Sequence, residues 1–109
     1  MNDRLGDVLE RLYATIESRR GDDPSSSYTA KLLSRGAKQC AKKFGEEAVE
    51  AALEAAIGDK AALTDEAADV LYHFLVMLAA AGVSPSDVAA KLAAREGVSG
   101  IAEKASRRP

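Results

Sequence analysis

The stretch KKFGEEAVEAALEAAIGDKAALTDEAADVLYHF, Lys42 to Phe74, decides how this chain folds. It sets Glu46, Glu47, Glu50, Glu66 and Asp69 among alanines and larger apolar residues, and its one interruption is Gly58-Asp59. Alanine, lysine and glutamate are good helix formers, so the spacing predicts a helix from about Ala37 to Ile57. Gly58 suits the stop of that helix. Asp59 suits the N-cap of the next, which runs to about Ala81 before Gly82. So short a link returns the second helix antiparallel to the first.

Folding the stretch at Gly58 puts its acids in register. Glu50 and Glu66 each lie eight residues from the glycine, and Glu47 and Asp69 each lie eleven. At about 1.5 Å rise per residue, the first pair sits roughly 12 Å from the turn and the second roughly 16 Å. On a helical wheel Lys43, Glu46, Glu47, Glu50 and Glu54 fall within an arc of roughly 100°. Phe44, Ala48, Ala51, Ala52 and Ala55 lie opposite, and Leu53 and Ile57 border the acids. In the second helix Glu66, Asp69 and His73 share an arc of about 60°.

Like charges brought together in a partly apolar setting repel and lose hydration, so either their pKa values rise or a cation neutralises them. All-oxygen ligation by Glu47, Glu50, Glu66 and Asp69 suits Mg²⁺ or Mn²⁺. A single histidine argues against an imidazole-built zinc site and against a di-iron bundle, which wants a Glu-x-x-His on each of two helices. The competing reading is that the acids solvate exposed helix faces, helped by i to i+4 pairs of Lys42 or Lys43 with Glu46 or Glu47. His73 fits a core position better than a ligand position.

The flanking sequence supplies further helices. Leu5, Val8, Leu9, Leu12, Tyr13 and Ile16 recur at helical spacing, which predicts an amphipathic helix starting near Asn2 or Asp3. RRGDDPSSS, Arg19 to Ser27, reads as a loop able to order around a ligand. A short helix YTAKLL follows, with Ser27 as N-cap and a break at Gly36. SPSD opens a last helix to about Arg95, with Ser84 as N-cap and Pro85 at its first position. No strand pattern is present. The fold class is therefore all-α, a helical bundle built on a central antiparallel hairpin. Residues 1–95 are expected to form one domain, and residues 96–109 a partly helical or mobile tail. Val70 to Leu78 is apolar nearly all round, more than one short neighbour would cover, so dimerisation is expected to complete the bundle, with a purely intramolecular bundle as the alternative.

Composition narrows the function classes. The 109 residues fit one domain, and much of the 47% hydrophobic content is alanine, which favours close helix packing. A formal net charge of −2 does not suggest a nucleic-acid binder. The lone Cys40 cannot form an intramolecular disulfide, no leader pattern opens the chain, and the longest apolar run, Phe74 to Ala81, is far short of the roughly 20 residues of a membrane span. The expectation is a cytoplasmic protein without membrane or nucleic-acid partners.

Glu47-x-x-Glu50 followed by Glu66-x-x-Asp69 resembles the metal motif of the all-α (MazG-like) nucleoside triphosphate pyrophosphohydrolase superfamily. Within it, SYTAKLL (Ser27 to Leu33), KKFGEEAVE (Lys42 to Glu50), GDK (Gly58 to Lys60) and EAADVLYH (Glu66 to His73), in this order and spacing, are similar to the phosphoribosyl-ATP pyrophosphatases of histidine biosynthesis. The likeness covers about Leu5 to Leu92. It implies hydrolysis of phosphoribosyl-ATP between its α and β phosphates, Mg²⁺ on Glu47, Glu50, Glu66 and Asp69, a homodimer, and a stand-alone enzyme rather than one fused to the next activity.

On that likeness Glu46, or in competition Glu47, orients or deprotonates the attacking water. Tyr28 and Thr29 are candidate substrate contacts, although Tyr28 also suits a core cap. Lys31, Arg35, Lys38 and Lys42 recur at three- or four-residue spacing and, with Lys43, can set positive charge beside phosphates; a solvated basic face fits them equally. Gly45 costs its helix roughly 1 kcal/mol relative to Ala, which either close helix packing or room for substrate beside Glu46 would explain. Two other functions remain open: a housecleaning enzyme for other (deoxy)nucleoside triphosphates, or a non-catalytic helical dimerisation module.

Overall fold

The computed structural model describes residues 3–107, apart from the side chain of residue 103. Six helices follow in order: α1 (Leu5–Ser18), α2 (Tyr28–Ser34), α3 (Ala37–Ile57), α4 (Lys60–Ala81), α5 (Pro85–Ala94) and α6 (Gly100–Ser106). No strand occurs among the described residues. α1 begins at Leu5 with Arg4 at its N-cap, two residues later than the predicted Asp3; Asn2, the other predicted start, lies outside the described residues. Arg4 supplies no side-chain cap.

Local chemistry explains most boundaries. Ser27 caps α2 by accepting from the Ala30 N–H, and Asp59 caps α4 by accepting from the Ala62 N–H. Ser84 and Asp87 form a reciprocal capping box at α5, with Pro85 at the first helical position. Gly58 ends α3 in the left-handed region at φ 86°, where a side chain would be strained. Its N–H donates to the carbonyls of Glu54 and Ala55, so the turn closes in two residues and α4 runs back along α3. The loop before α2 is already organised by Asp23, whose carboxylate accepts from the Ser25 N–H and whose carbonyl accepts from the Ser27 N–H.

The core lies on the second half of α4. Leu75, Val76, Leu78 and Ala79 are buried against Ile16 of α1, Leu32 of α2 and Cys40 of α3. Tyr13 donates to the Val83 carbonyl and Arg20 to the Ala79 carbonyl, tying α1 to the end of α4. The Cys40 thiol donates to the Leu32 carbonyl, and burial pushes its pKa up. In the Val70 to Leu78 segment, His73, Leu75, Val76 and Leu78 are buried within one chain and the other residues are half-buried. α1 and α2 pack on α4 beside α3.

The apolar surface left open lies on α3 instead. Val49, Leu53 and Ile57, one turn apart, are 60, 58 and 75% exposed. Phe44, Glu47, Ala48, Ala51 and Glu54 are half-buried. Small alanines inside permit a closer approach of α3 to α4 than leucine or isoleucine would. Among the described residues no single helix is long and apolar enough to cross a membrane.

Candidate active site on the helix hairpin

The hairpin register brings Glu47 of α3 together with Glu66 and Asp69 of α4: one carboxylate oxygen from each lies within 4.8 Å of the others. Glu50, predicted as the fourth member, is exposed and stands outside that trio, yet it acts on Glu66. Three helical positions therefore converge from two elements, at the level that counting from Gly58 predicts. Phe44 and Phe74 pack against each other on the far side of the cluster from the turn, with ring centroids 5.9 Å apart.

Charge crowding is visible in the titration of the group. Glu66 is pushed up to about 7, first by the hydrogen bond it shares with Glu47, then by desolvation and by Glu50. A bond between two carboxyl groups needs a proton on one of them, and Glu66 is the one that keeps it. Glu47 is held below the ordinary carboxylate range by that same bond and by the Lys43 ammonium, whose Nζ lies 3.1 Å from its Oε1. Lys43 is raised in turn by Glu47. Among the described residues, Oε1 of Glu66 is shielded from solvent and meets no hydrogen-bond donor.

Behind the acids sits an aromatic group. His73, only 6% exposed, meets the Tyr72 ring edge-on at 5.0 Å and the Tyr28 ring at 6.2 Å. Burial lowers its pKa, opposed by Glu47. His73 is thus a core residue against the cluster. Tyr28 stacks on Tyr72 but stays 53% exposed, so it caps this group and also presents a free face. Thr29 turns inward, its hydroxyl 2.5 Å from that of Tyr72.

A cavity of about 290 Å³ opens beside the cluster, lined by Tyr28, Leu32, Arg35, Gln39, Lys42, Lys43 and Glu46. Of the basic stripe, Arg35, Lys42 and Lys43 reach it; Lys31 and Lys38 are exposed elsewhere, and Thr29 does not line it. Glu46 stands on its rim and Lys43 joins it to the acids. Gln39 was not singled out by sequence reasoning, although it lies one helical turn before Lys42 and Lys43 on the same face. A Cβ built on Gly45 meets nothing within 4 Å, so close helix packing does not explain this glycine.

The donor set is carboxylate oxygen throughout, one oxygen is enclosed without a donor, and one acid holds a proton near neutrality; these features fit a hard divalent cation. Fold and site together define an all-α protein with an acidic centre on a helix hairpin and a cationic cavity alongside. The family model for phosphoribosyl-ATP pyrophosphohydrolase matches residues 9–96, and the chain belongs to that family. Its relatives include the phosphoribosyl-ATP pyrophosphatase of Cereibacter sphaeroides (strain ATCC 17025), 67% identical over 92% of this chain and 97% of the relative. That of Dinoroseobacter shibae is 66% identical over 92 and 98%, and that of Azospirillum brasilense 58% identical over 93 and 91%.

Proposed function

We propose that this chain hydrolyses phosphoribosyl-ATP to phosphoribosyl-AMP and pyrophosphate, in the cytoplasm, as a step of histidine biosynthesis. The reading takes the substrate from the relatives' names. One structural observation carries the chemistry: the donorless Glu66 oxygen in a convergent carboxylate trio beside a cationic cavity. Glu47, Glu66 and Asp69, with Glu50 at the edge, would hold Mg²⁺ or Mn²⁺. A divalent cation there supplies neutralisation of phosphate oxygens and a more acidic water.

The chain's own residues divide the remaining work. Lys43 offsets phosphate charge from the cavity side and also keeps Glu47 ionised. Glu47 is engaged by Lys43 and by the shared bond with Glu66, whereas Glu46 is exposed on the cavity rim and, among the described residues, forms no salt bridge. Glu46 therefore orients the water and takes its proton, and Glu47 stays with the ligand set. The open space at Gly45 leaves room for the reacting phosphates beside it. The Val49, Leu53 and Ile57 stripe would seat a second copy of the chain as a homodimer.

Pyrophosphate release tests the reading, measured on phosphoribosyl-ATP, dCTP, dUTP and ITP with and without Mg²⁺. Metal-dependent turnover that favours phosphoribosyl-ATP is expected. Preference for dCTP, dUTP or ITP would make the protein a housecleaning enzyme, and no turnover on any of them would leave a non-catalytic module.

A further inference from the structure

The cationic cavity is lined by none of the three converging carboxylates. Its lining runs from α2 to α3 across the turn at Gly36, where φ is 87°, and includes Arg35, Gln39 and Lys42. Gln39 precedes Glu47 by eight residues, which places it about 12 Å along the helix axis from the carboxylates, with Arg35 near that far end. Lys43 is spent on Glu47, but among the described residues Arg35 and Lys42 have no salt bridge. Besides Lys43, two cations and a neutral amide thus line a concave site whose single acid is Glu46.

Such a site suits a phosphate on a sugar. Guanidinium and ammonium groups bind phosphate without a metal, and an amide can pair with ribose hydroxyls. The acidic trio cannot take an anion without a cation, so the two ends of the hairpin surface select different chemistry. Phosphoribosyl-ATP, by its constitution, carries phosphate at two ends, a triphosphate and the phosphate of the added phosphoribosyl group, with the adenine between them. The exposed face of Tyr28, which lines the same cavity, is a surface on which a base can stack.

We propose that Arg35, Lys42 and Gln39 hold the phosphoribosyl phosphate, so that this cavity distinguishes phosphoribosyl-ATP from ATP. The assignment rests on the activity proposed above. It makes specificity a difference in binding at a group remote from the bond that breaks. It also gives Arg35 and Gln39 a role the acidic motif does not contain.

Two measurements test it on the full chain. In steady-state kinetics with Mg²⁺, Arg35→Met and Lys42→Met should each raise KM for phosphoribosyl-ATP about ten- to hundredfold, the range expected for a lost charged hydrogen bond, with a smaller change in kcat. Hydrolysis of ATP, which lacks the group, should lose much less, and Lys91→Met on exposed α5 serves as the control. Equal losses on both substrates, or no rise in KM, would overturn the assignment. In the second measurement ribose 5-phosphate is titrated by calorimetry into metal-free protein. Binding that weakens at least tenfold in both variants supports the site; no binding, or binding indifferent to both changes, refutes it. Wild-type preference for dCTP or ITP would defeat the proposed activity alone, and the ribose 5-phosphate titration then still decides whether the cavity takes a sugar phosphate. Arg35 is exposed, so unchanged helicity of its variant is expected and is checked by circular dichroism.

Discussion

Raising the pH should strengthen Mg²⁺ binding, and the size of the effect follows from Glu66. Its carboxyl is pushed up to about 7 in the metal-free protein, so a cation must displace a proton to use it. At pH 5 only about 1% of Glu66 is ionised and at pH 8 about 90%, so affinity should rise on the order of a hundredfold across that range, close to tenfold per unit below 7. Calorimetry in two buffers of different ionisation enthalpy reads the linked proton directly, with about one proton released per ion at pH 6. Glu66→Gln should remove both the release and the slope. Affinity that is flat from pH 5.5 to 8, or proton release that survives in the variant, would refute the crowding argument.

The same group sets the stability of the metal-free fold. A carboxyl whose folded pKa lies above its ordinary value of 4.5 binds an extra proton in the native state between about 4.5 and 7, so native stability falls as pH rises through that window. Glu47, held low, works in the opposite direction and loses its contribution only as pH falls below the ordinary carboxylate range. In EDTA the melting temperature of the wild type should therefore decline from pH 5 to 7. Mg²⁺ should restore more at pH 8 than at pH 5.

Four substitutions separate structure from chemistry. Glu47→Gln and Glu66→Gln should each lower turnover by at least a hundredfold in a folded protein, and the metal-free melting temperature of Glu66→Gln should stay level or rise at pH 8 because repulsion is removed, whereas Glu47→Gln gives up its contact with Lys43 and melts somewhat lower; joint unfolding of both variants would mark the acids as structural. Gly45→Ala should stabilise α3 by about 0.5–1 kcal/mol in thermal melts, since nothing opposes the added methyl, and should reduce turnover by filling space meant for substrate. Leu53→Glu, on an exposed position, should leave helicity intact and convert the proposed dimer to monomer in light scattering; an unaltered mass would place the interface elsewhere.

Helix boundaries were legible because they are written in local chemistry. Ser27, Asp59 and Ser84 cap from their own side chains, and Gly36, Gly58 and Gly82 adopt positive φ that other residues rarely take. The acidic trio was legible for a related reason: a two-residue turn turns the distance of each acid from Gly58 into a spatial level. The inward face of α3 was not. Hydrophobicity alone would bury Val49, Leu53 and Ile57, whereas alanines and Glu47 face α4, because close approach of two helices selects small residues over large ones. The packing of α1 and α2 on α4 was not legible either, because a wheel for one helix carries no information on how many others pack on it. Gln39 and the far end of the cavity depend on the angle at Gly36, which spacing along one helix does not encode.

The site's position explains why the crowding is tolerated. The trio lies between the Gly58 turn and the Phe44–Phe74 contact, and beyond that contact α4 is pinned by Ile16, Leu32 and Cys40. Both flanks are fixed by interactions that do not involve the acids, so α3 and α4 cannot splay to relieve their repulsion. The remaining relief is a proton on Glu66, which is what its raised pKa records, or a cation in its place. A hairpin joined by a long loop would let the same four carboxylates drift apart into water and titrate as ordinary surface groups. Affinity for a divalent ion is therefore a property of the turn and the core as much as of the glutamates, and losses of core packing at Leu75 or Val76 should weaken metal binding before they unfold the chain.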